Sequence, residues 1–271
     1  MGNRTSLIGI IVATLALSGC GHRPEEASTR PAEVMFATVE INGKSYEAPL
    51  TVTAEGSALI EGDLIVASAE ELQQKGLFVS ETSALWPKGI VRYKIDGNLP
   101  NKTRVRDAIG EWERSTNIRF VAANAADRSY LLFAPAQDAT NCSTRVGYSG
   151  TSQVLYLGSA CKRGNVAHEI AHALGVAHEH MRSDQSRYIS IQWANIPTEA
   201  KHNFEPKPRK YSDIGPYCYG SIMHYPRNAF SKNGRDTIIP KRNVRIGQRD
   251  ALAACDISLV ERMYRDEFRK R

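Results

Sequence analysis

The sequence predicts an α+β fold, in which many short strands are combined with a few helices. Apolar runs typical of strands recur at residues 90–95, 118–121, 130–133 and 153–157. Helical patterns occupy residues 101–116, 166–174 and 257–268. The 271 residues are 42% hydrophobic and 24% charged, an ordinary globular composition with room for one domain of common size and a short appendage.

The first residues have the pattern of an export signal. Arg4 precedes an apolar stretch at residues 7–17, which is too short to span a bilayer as a helix. The stretch ends in the letters LSGC, which resemble a bacterial lipobox whose cysteine, here Cys20, is acylated after removal of residues 1–19. By the same resemblance, Gly21 favours the outer membrane of the cell envelope. An ordinary signal peptide is the alternative.

The rest of the chain divides by composition and pattern. The predicted parts are a signal peptide (1–19), a tether (20–32), a pre-catalytic segment (33–84) and a main domain (85–271). Within the pre-catalytic segment, strand-like runs lie at 34–41 and 58–66, and a short helical pattern lies at 69–75. The first helix of the main domain has an apolar face formed by Val105, Ala108, Ile109 and Trp112.

Charge and cysteine content limit the function classes. The net charge of +6 concerns association and not fold, and no arginine-rich run with interleaved aromatic residues supports nucleic-acid binding. If Cys20 carries lipid, four cysteines remain, namely Cys142, Cys161, Cys218 and Cys255. An even number in an exported protein indicates disulfide bonds, and the residues alone leave three pairings open.

One segment has the spacing of a metal site. His168 and His172 are four residues apart, so that on a helix both imidazoles lie on one face and can bind one ion. Glu169 can reach a water molecule beside that ion. Gly175 allows a sharp turn that brings His178 round as a third ligand. Three nitrogen ligands leave an open position, which is typical of catalytic Zn²⁺.

A second segment supports the same interpretation. The letters SIMHY at residues 221–225 match the methionine turn that lies beneath the three histidines of metzincins. Met223 would be the methionine of this turn, and a plain core residue is the alternative for Met223 taken alone.

Together these motifs resemble the astacin family of metzincin peptidases. Glu179 directly follows the third histidine, as in that family, and the resemblance covers about residues 85–264. It implies a two-lobed metzincin fold. The upper lobe would have a mixed, mostly parallel sheet and two long helices, and the lower lobe would be irregular with a C-terminal helix. The fold would include the active-site helix and the Met-turn.

The resemblance also implies roles for single residues. The implied zinc ligands are His168, His172 and His178. Glu169 would be the general base, and Tyr225 would match a tyrosine that binds zinc at rest and later donates to the oxyanion. Glu179 would help to hold the N-terminus formed on activation. The strand at 153–157 would be the edge strand that pairs with an extended substrate.

The pre-catalytic segment contains the letters IEGD at residues 60–63. Astacin prosegments carry F-x-G-D, whose aspartate occupies the open zinc position, so the resemblance implies that Asp63 keeps a precursor latent. Ile60 replaces the phenylalanine of that motif. A simple Gly-Asp turn is the alternative.

The resemblance implies one disulfide bond, between Cys142 and Cys161. A further family cysteine is Asn117 here, and its C-terminal partner is also missing. Cys218 and Cys255 lie outside the family pattern, and we expect them to pair with each other.

We therefore expect a monomeric, Zn²⁺-dependent endopeptidase that acts on proteins or peptides and is made as a latent, lipid-anchored precursor. Activation would then also release it from the membrane. The alternatives are a catalytically blocked, zinc-bearing surface binding protein, an adhesion module that keeps the metal for stability, and another metzincin family. Glu169 argues against a purely structural metal, and Glu179 and Tyr225 argue against other metzincins.

Overall fold

The computed structural model describes residues 34–41, 44–67, 84–206 and 212–271, and all structural statements below refer to them. The predicted signal peptide, the tether and the helix predicted at 69–75 lie outside the described residues. Within the described ranges, none of the helices has the length and apolar character needed to cross a membrane.

The strands and helices are numbered in chain order. The strands are β1 (Val34–Ile41), β2 (Lys44–Val52), β3 (Ala58–Ile60), β4 (Leu64–Ala67), β5 (Ile90–Ile95), β6 (Arg119–Ala122), β7 (Leu131–Pro135), β8 (Cys142–Thr144), β9 (Gln153–Leu157), β10 (Ile189–Ile191) and β11 (Ile238–Pro240). The helices are α1 (Thr103–Ser115), α2 (Arg163–Ala173), α3 (Ala254–Met263) and α4 (Arg265–Phe268). Short 3₁₀ turns lie at Pro87–Gly89, Glu179–Met181, Gln185–Arg187, Trp193–Asn195 and Thr198–Phe204.

One mixed sheet organises the upper part of the molecule. Its strand order is β1-β2-β3-β4-β8-β9-β7-β5-β6. Strands β5, β6, β7 and β9 are parallel, and β8 is antiparallel to β9. Helix α1 forms the crossover between the parallel strands β5 and β6. The mixed sheet with its packed helices confirms the predicted α+β fold, and the pair β10–β11 belongs to the less regular lower part.

Residues 34–41 and 44–67, the N-terminal segment, continue this sheet. Strands β1 to β4 pair antiparallel in sequence order, and β4 then pairs parallel with β8. The strand-like run at 58–66 forms two strands and not one continuous strand, because the chain turns between β3 and β4. Glu61 and Gly62 both have positive φ there, 58° and 85°. The turn places Asp63 at the start of β4.

The position of β9 corrects the prediction for the edge strand. This strand lies between β7 and β8 and is not an edge. On this side of the sheet the outermost strand of the main domain is β8, and β4 pairs with its other side, where the Thr144 amide donates to the Asp63 carbonyl at 3.0 Å. A three-residue strand such as β8 carries too few residues for an alternating pattern, so the sequence did not reveal it.

The core of the main domain lies between the sheet and the helices. Its largest fully buried side chains include Trp86, Trp112, Phe133, Leu155, Leu174 and Tyr264. Both tryptophans also fix α2, because their indole N–H groups donate to the carbonyls of Ala173 and Ala167. The apolar face predicted for α1 is buried in this core. Helix α2 is therefore held along its length by buried contacts.

The observed helix bounds differ from the predicted ones, and two disulfide bonds are present among the described residues. Helices α2 and α3 begin three residues earlier than predicted. At their starts, Asn165 accepts the Lys162 amide and Asp256 accepts the Ala253 amide. The predicted last helix is two helices, α3 and α4, which meet at Tyr264. The disulfide bonds are Cys142–Cys161 and Cys218–Cys255.

Candidate metal centre and active site

Helix α2 and the turn after it gather three buried histidines. His168 and His172 lie one helical turn apart, with ring centroids 4.7 Å from each other. Gly175 ends the helix with φ 102°, and its amide donates to the His172 carbonyl. The chain then returns, so that His178 Nε2 lies 3.3 Å from His172 Nε2.

The second ring nitrogen of each histidine has its own acceptor. His168 Nδ1 lies 2.8 Å from the Ile222 carbonyl, and His172 Nδ1 lies 2.8 Å from the Val176 carbonyl. His178 Nδ1 lies 3.1 Å from Glu61 Oε2. With Nδ1–H as the donor in each ring, all three Nε2 lone pairs are free to bind one ion.

Asp63 completes the cluster from the N-terminal segment. Its Oδ2 lies 3.2 Å from His168 Nε2 and 3.1 Å from His178 Nε2, and its Oδ1 lies 3.8 Å from His172 Nε2. The four donor atoms are all within 4.8 Å of one another. Burial raises the pKa of Asp63, but the charge of His178 and hydrogen bonds from the imidazoles outweigh it and hold that pKa well below its ordinary value.

The same carboxylates act on the histidines. Burial lowers the pKa of His178, yet Asp63 and Glu61 raise it to about 9, so this position favours a positive charge. Burial keeps the pKa of His168 and His172 below the ordinary value.

The donor set fits zinc. Three imidazole nitrogens and a carboxylate are the ligands that tetrahedral Zn²⁺ takes in proteins. Among the described residues, Asp63 Oδ1 and Glu169 Oε2 are buried oxygens without a hydrogen-bond partner. Such atoms are costly to bury unless an ion or a water molecule satisfies them. Burial, and then the charge of Asp63, raises the pKa of Glu169 well above its ordinary value.

The predicted Met-turn lies beside the histidines. Met223 is buried, and its carbonyl accepts the Glu179 amide at 3.1 Å. The turn is anchored by Asp256, which accepts Ser221 Oγ at 2.6 Å and the Ile222 amide at 3.0 Å. Sequence analysis missed Asp256: its carboxylate also accepts the Ala253 amide at 2.8 Å, but Ala253 lacks the side-chain oxygen that would mark a capping box in the sequence.

Tyr225 lies next to the third histidine. Its ring centroid is 4.5 Å from that of His178, and it stacks on His180 at 3.8 Å. The hydroxyl donates to the Glu61 carbonyl. Burial, reinforced by Asp63 and Glu61, raises the pKa of Tyr225 well above its ordinary value, so the phenol stays a donor.

Glu179 makes its polar contacts with residues outside the cluster. Its Oε1 accepts the Cys218 amide at 2.7 Å and lies 3.7 Å from Arg182 Nε. Burial raises the pKa of Glu179 to about 7. It lines a cavity together with Asp213 and Met263.

Arg249 was also missed by sequence analysis. Its guanidinium donates to the His224 carbonyl at 3.1 Å, and its charge acts on Asp63 and Glu169. A single arginine far from the motifs gives no signal in one sequence.

A family model described as Astacin, a peptidase family, matches residues 78–265, well over half of the chain. The chain belongs to the astacin family. The predicted zinc metalloendopeptidase class is thereby confirmed, and zinc is the metal of the family.

Named relatives agree with this assignment. Low choriolytic enzyme of Oryzias latipes is 36% identical over 219 residues, which cover 76% of this chain and 78% of that protein. Astacin-like metalloendopeptidase of Mus musculus is 39% identical over 275 residues, 96% of this chain and 61% of the mouse protein. Zinc metalloproteinase nas-14 of Caenorhabditis elegans is 38% identical over 193 residues, 69% of this chain and 38% of the nematode protein.

A solved structure supports the fold. High choriolytic enzyme 1, a hatching enzyme zinc-protease from Oryzias latipes, superposes with a TM-score of 0.60 at 31% identity. The superposition covers 67% of this astacin chain and 93% of that chain. The relatives named above come from animals. The bacterial lipoprotein form therefore stays a prediction, as do the residue roles in this astacin domain.

Proposed function

We propose that this chain is the latent precursor of a zinc endopeptidase that cleaves proteins or peptides. The observation that carries the proposal is the position of Asp63, whose carboxylate lies within hydrogen-bond distance of two of the three histidine Nε2 atoms. A carboxylate beside these nitrogen atoms competes with both water and substrate for the open metal position.

Three residues would hold the metal and two would act on the substrate. The ligands are His168, His172 and His178. Bound zinc supplies Lewis acidity, which polarises the scissile carbonyl and lowers the pKa of water. Glu169, with one carboxylate oxygen buried and unpaired among the described residues, takes the proton of the attacking water and passes it to the leaving nitrogen. Tyr225 donates its hydroxyl to the carbonyl oxygen as negative charge develops there.

The N-terminal segment, residues 34–67, would act as the inhibitory part of a prosegment at 33–84. It covers the site in two ways. Asp63 meets the histidines, and β4 occupies the edge of β8, where an extended substrate would otherwise pair by β-augmentation. Glu179 would hold the new N-terminus in the cavity that it lines. Activation thus requires removal of this segment, by a cut that we place between residues 75 and 85.

The precursor would be attached to the bacterial cell envelope, in the outer membrane, by lipid on Cys20. Because Cys20 precedes Asp63 in the chain, the same cut would separate the enzyme from its anchor. The freed catalytic domain, residues 85–271, would work as a monomer.

A cleavage assay tests the enzymatic proposal. The full-length chain and a trypsin-processed sample are incubated with a quenched fluorescent peptide library, with and without phenanthroline. We expect activity only after processing, abolished by the chelator. Glu169→Gln should keep its zinc and lower kcat/KM by roughly 10²–10⁴-fold, the usual contribution of a general base. A processed, zinc-loaded chain without activity would instead support the alternative of a blocked binding protein.

A further inference from the structure

Glu61 makes a second contact between the N-terminal segment and the metal centre, two residues before Asp63. The residue is 1% exposed. Its carboxylate lies 3.1 Å from His178 Nδ1, and its carbonyl accepts the Tyr225 hydroxyl. Its amide donates to Asn203 Oδ1 at 3.1 Å. The carboxylate, the carbonyl and the amide of Glu61 therefore all contact the active site or a residue beside it.

The three histidines differ in where their Nδ1 partner comes from. For His168 and His172 the acceptors are the carbonyls of Ile222 and Val176, which belong to the main domain. For His178 the acceptor is the Glu61 carboxylate, which lies before the part of the chain that the astacin model matches. The main domain thus supplies two of the three partners, and the N-terminal segment supplies the third.

From this arrangement we propose that Glu61 is a positioning residue for zinc: it orients His178 in the precursor and raises the zinc affinity of the unprocessed chain. The inference rests on the proposed zinc site. A carboxylate that accepts the free N–H of a histidine ligand fixes its tautomer and ring orientation and makes it a stronger donor. Loss of such a partner typically costs roughly 10–100-fold in metal affinity.

The surroundings of Glu61 indicate a built site. A carboxylate buried this deeply is costly unless a charged or strongly polar partner compensates, and His178 is that partner. The φ of 58° at Glu61 is uncommon for a residue with a side chain and persists only where the surroundings enforce it. Asn203 is itself buried and accepts His180 Nε2 on its carbonyl at 2.8 Å, which fixes the wall against which Glu61 rests.

The proposed effect of Glu61 on the metal site differs from that of Asp63. Asp63 occupies the ligand position, whereas Glu61 acts from behind the His178 ring. Removal of the N-terminal segment takes away both contacts, so the processed enzyme would bind zinc more weakly than its precursor. The N-terminal segment would then retain the metal before activation as well as exclude substrate.

A zinc competition experiment on the full-length chain separates these effects. Zinc dissociation constants are measured against a chromophoric chelator for wild type, Glu61→Ala, Glu61→Gln, Asp63→Asn and the double variant Glu61→Ala with Asp63→Asn. Glu55→Gln is the matched control, because Glu55 is a prosegment glutamate that contacts Gln137 and Asn141 away from the site. Thermal melts of the metal-free proteins check folding, and Glu61→Gln, which keeps the shape of the side chain, carries the test if Glu61→Ala fails to fold.

We expect one zinc per wild-type chain and roughly 10–100-fold weaker binding in Glu61→Ala, with a smaller loss in Glu61→Gln and none in Glu55→Gln. The loss should persist in the Asp63→Asn background, and the visible spectrum of the Co²⁺-substituted chain should shift. An unchanged dissociation constant would overturn the inference while leaving the zinc site intact. An effect that vanishes in the Asp63→Asn background would show that Glu61 only docks Asp63. A wild-type chain without zinc would overturn the proposed function as well.

Discussion

Two carboxylates near the histidine cluster have opposite roles in the proposed function. Asp63 enters from the N-terminal segment and faces all three Nε2 atoms. Glu169 enters from helix α2 with its Oε2 buried and unpaired among the described residues. In the proposed precursor, Asp63 must leave the metal position before Glu169 can act on a water molecule.

The latent state should depend on the charge of Asp63. Asp63→Asn keeps the size of the side chain but replaces an anionic ligand by a weaker, neutral one, so the unprocessed chain should hydrolyse a small fluorogenic peptide faster than wild type does. Peptide cleavage by the purified full-length chain measures this. Asp138→Asn, on the exposed turn before β8, is the control and should leave the precursor silent. Equal rates for Asp63→Asn and wild type would show that latency comes from β4 alone.

The histidine ligands could be predicted because their contacts are local. Spacings of four and six residues and the glycine between them fix the geometry within one helix and one turn. Glu61 could not be predicted in its role, since it meets His178 across 117 residues of chain. Arg249 was missed for the same reason. Long-range partners of this kind have no periodicity that a single sequence can display.

Among the structural elements, the Met-turn is linked to the start of helix α3 by hydrogen bonds and a disulfide bond. Asp256 accepts Ser221 Oγ, the Ile222 amide and the Ala253 amide, and the disulfide Cys218–Cys255 joins the same two segments. Since the Ile222 carbonyl in turn accepts His168 Nδ1, this link connects the C-terminal helix to a zinc ligand.

Asp256→Ala should therefore weaken both stability and metal binding. Loss of a buried acceptor of three hydrogen bonds costs about 2–4 kcal/mol of unfolding free energy. Urea unfolding measures this, and chelator competition should show weaker zinc binding. Asp266→Ala removes an exposed carboxylate that only pairs with Arg269 on α4, and we expect almost no change from it. Comparable losses in both variants would contradict the proposed anchoring.

The prediction of elements succeeded where patterns were long and failed where strands were short. Strand β9 was predicted with its correct bounds, but its neighbour β8 has only three residues and was not found. As a result the edge of the main domain was assigned to the wrong strand. Asn117, where the resemblance implied a cysteine, donates to Glu261 on α3 through Nδ2 at 2.9 Å. This hydrogen bond joins the residues after α1 to α3.

Across the whole molecule, one sheet continues from the main domain into the N-terminal segment. The described residues all belong to one compact unit, so the pairing of β4 with β8 and the contact of Asp63 with the histidines occur together. The sequence predicted an α+β domain but not this continuity, because strand pairing between distant segments depends on tertiary contacts and not on local pattern.

The proposed anchor gives a prediction at the same scale. Cys20→Ser should move the full-length chain from the detergent phase to the aqueous phase in a phase-separation assay on bacterial cells, because acylation at Cys20 is the proposed attachment. After processing, peptide cleavage should match that of wild type. Detergent partitioning by the Cys20→Ser chain would argue for another mode of attachment.

The proposed function depends most directly on zinc at the three histidines, and elemental analysis of the purified, folded chain measures the zinc content. We expect one zinc per chain in wild type and in Glu169→Gln, and loss of most of it in His172→Ala. A folded wild-type chain without zinc, or a His172→Ala chain that keeps all of it, would contradict the account.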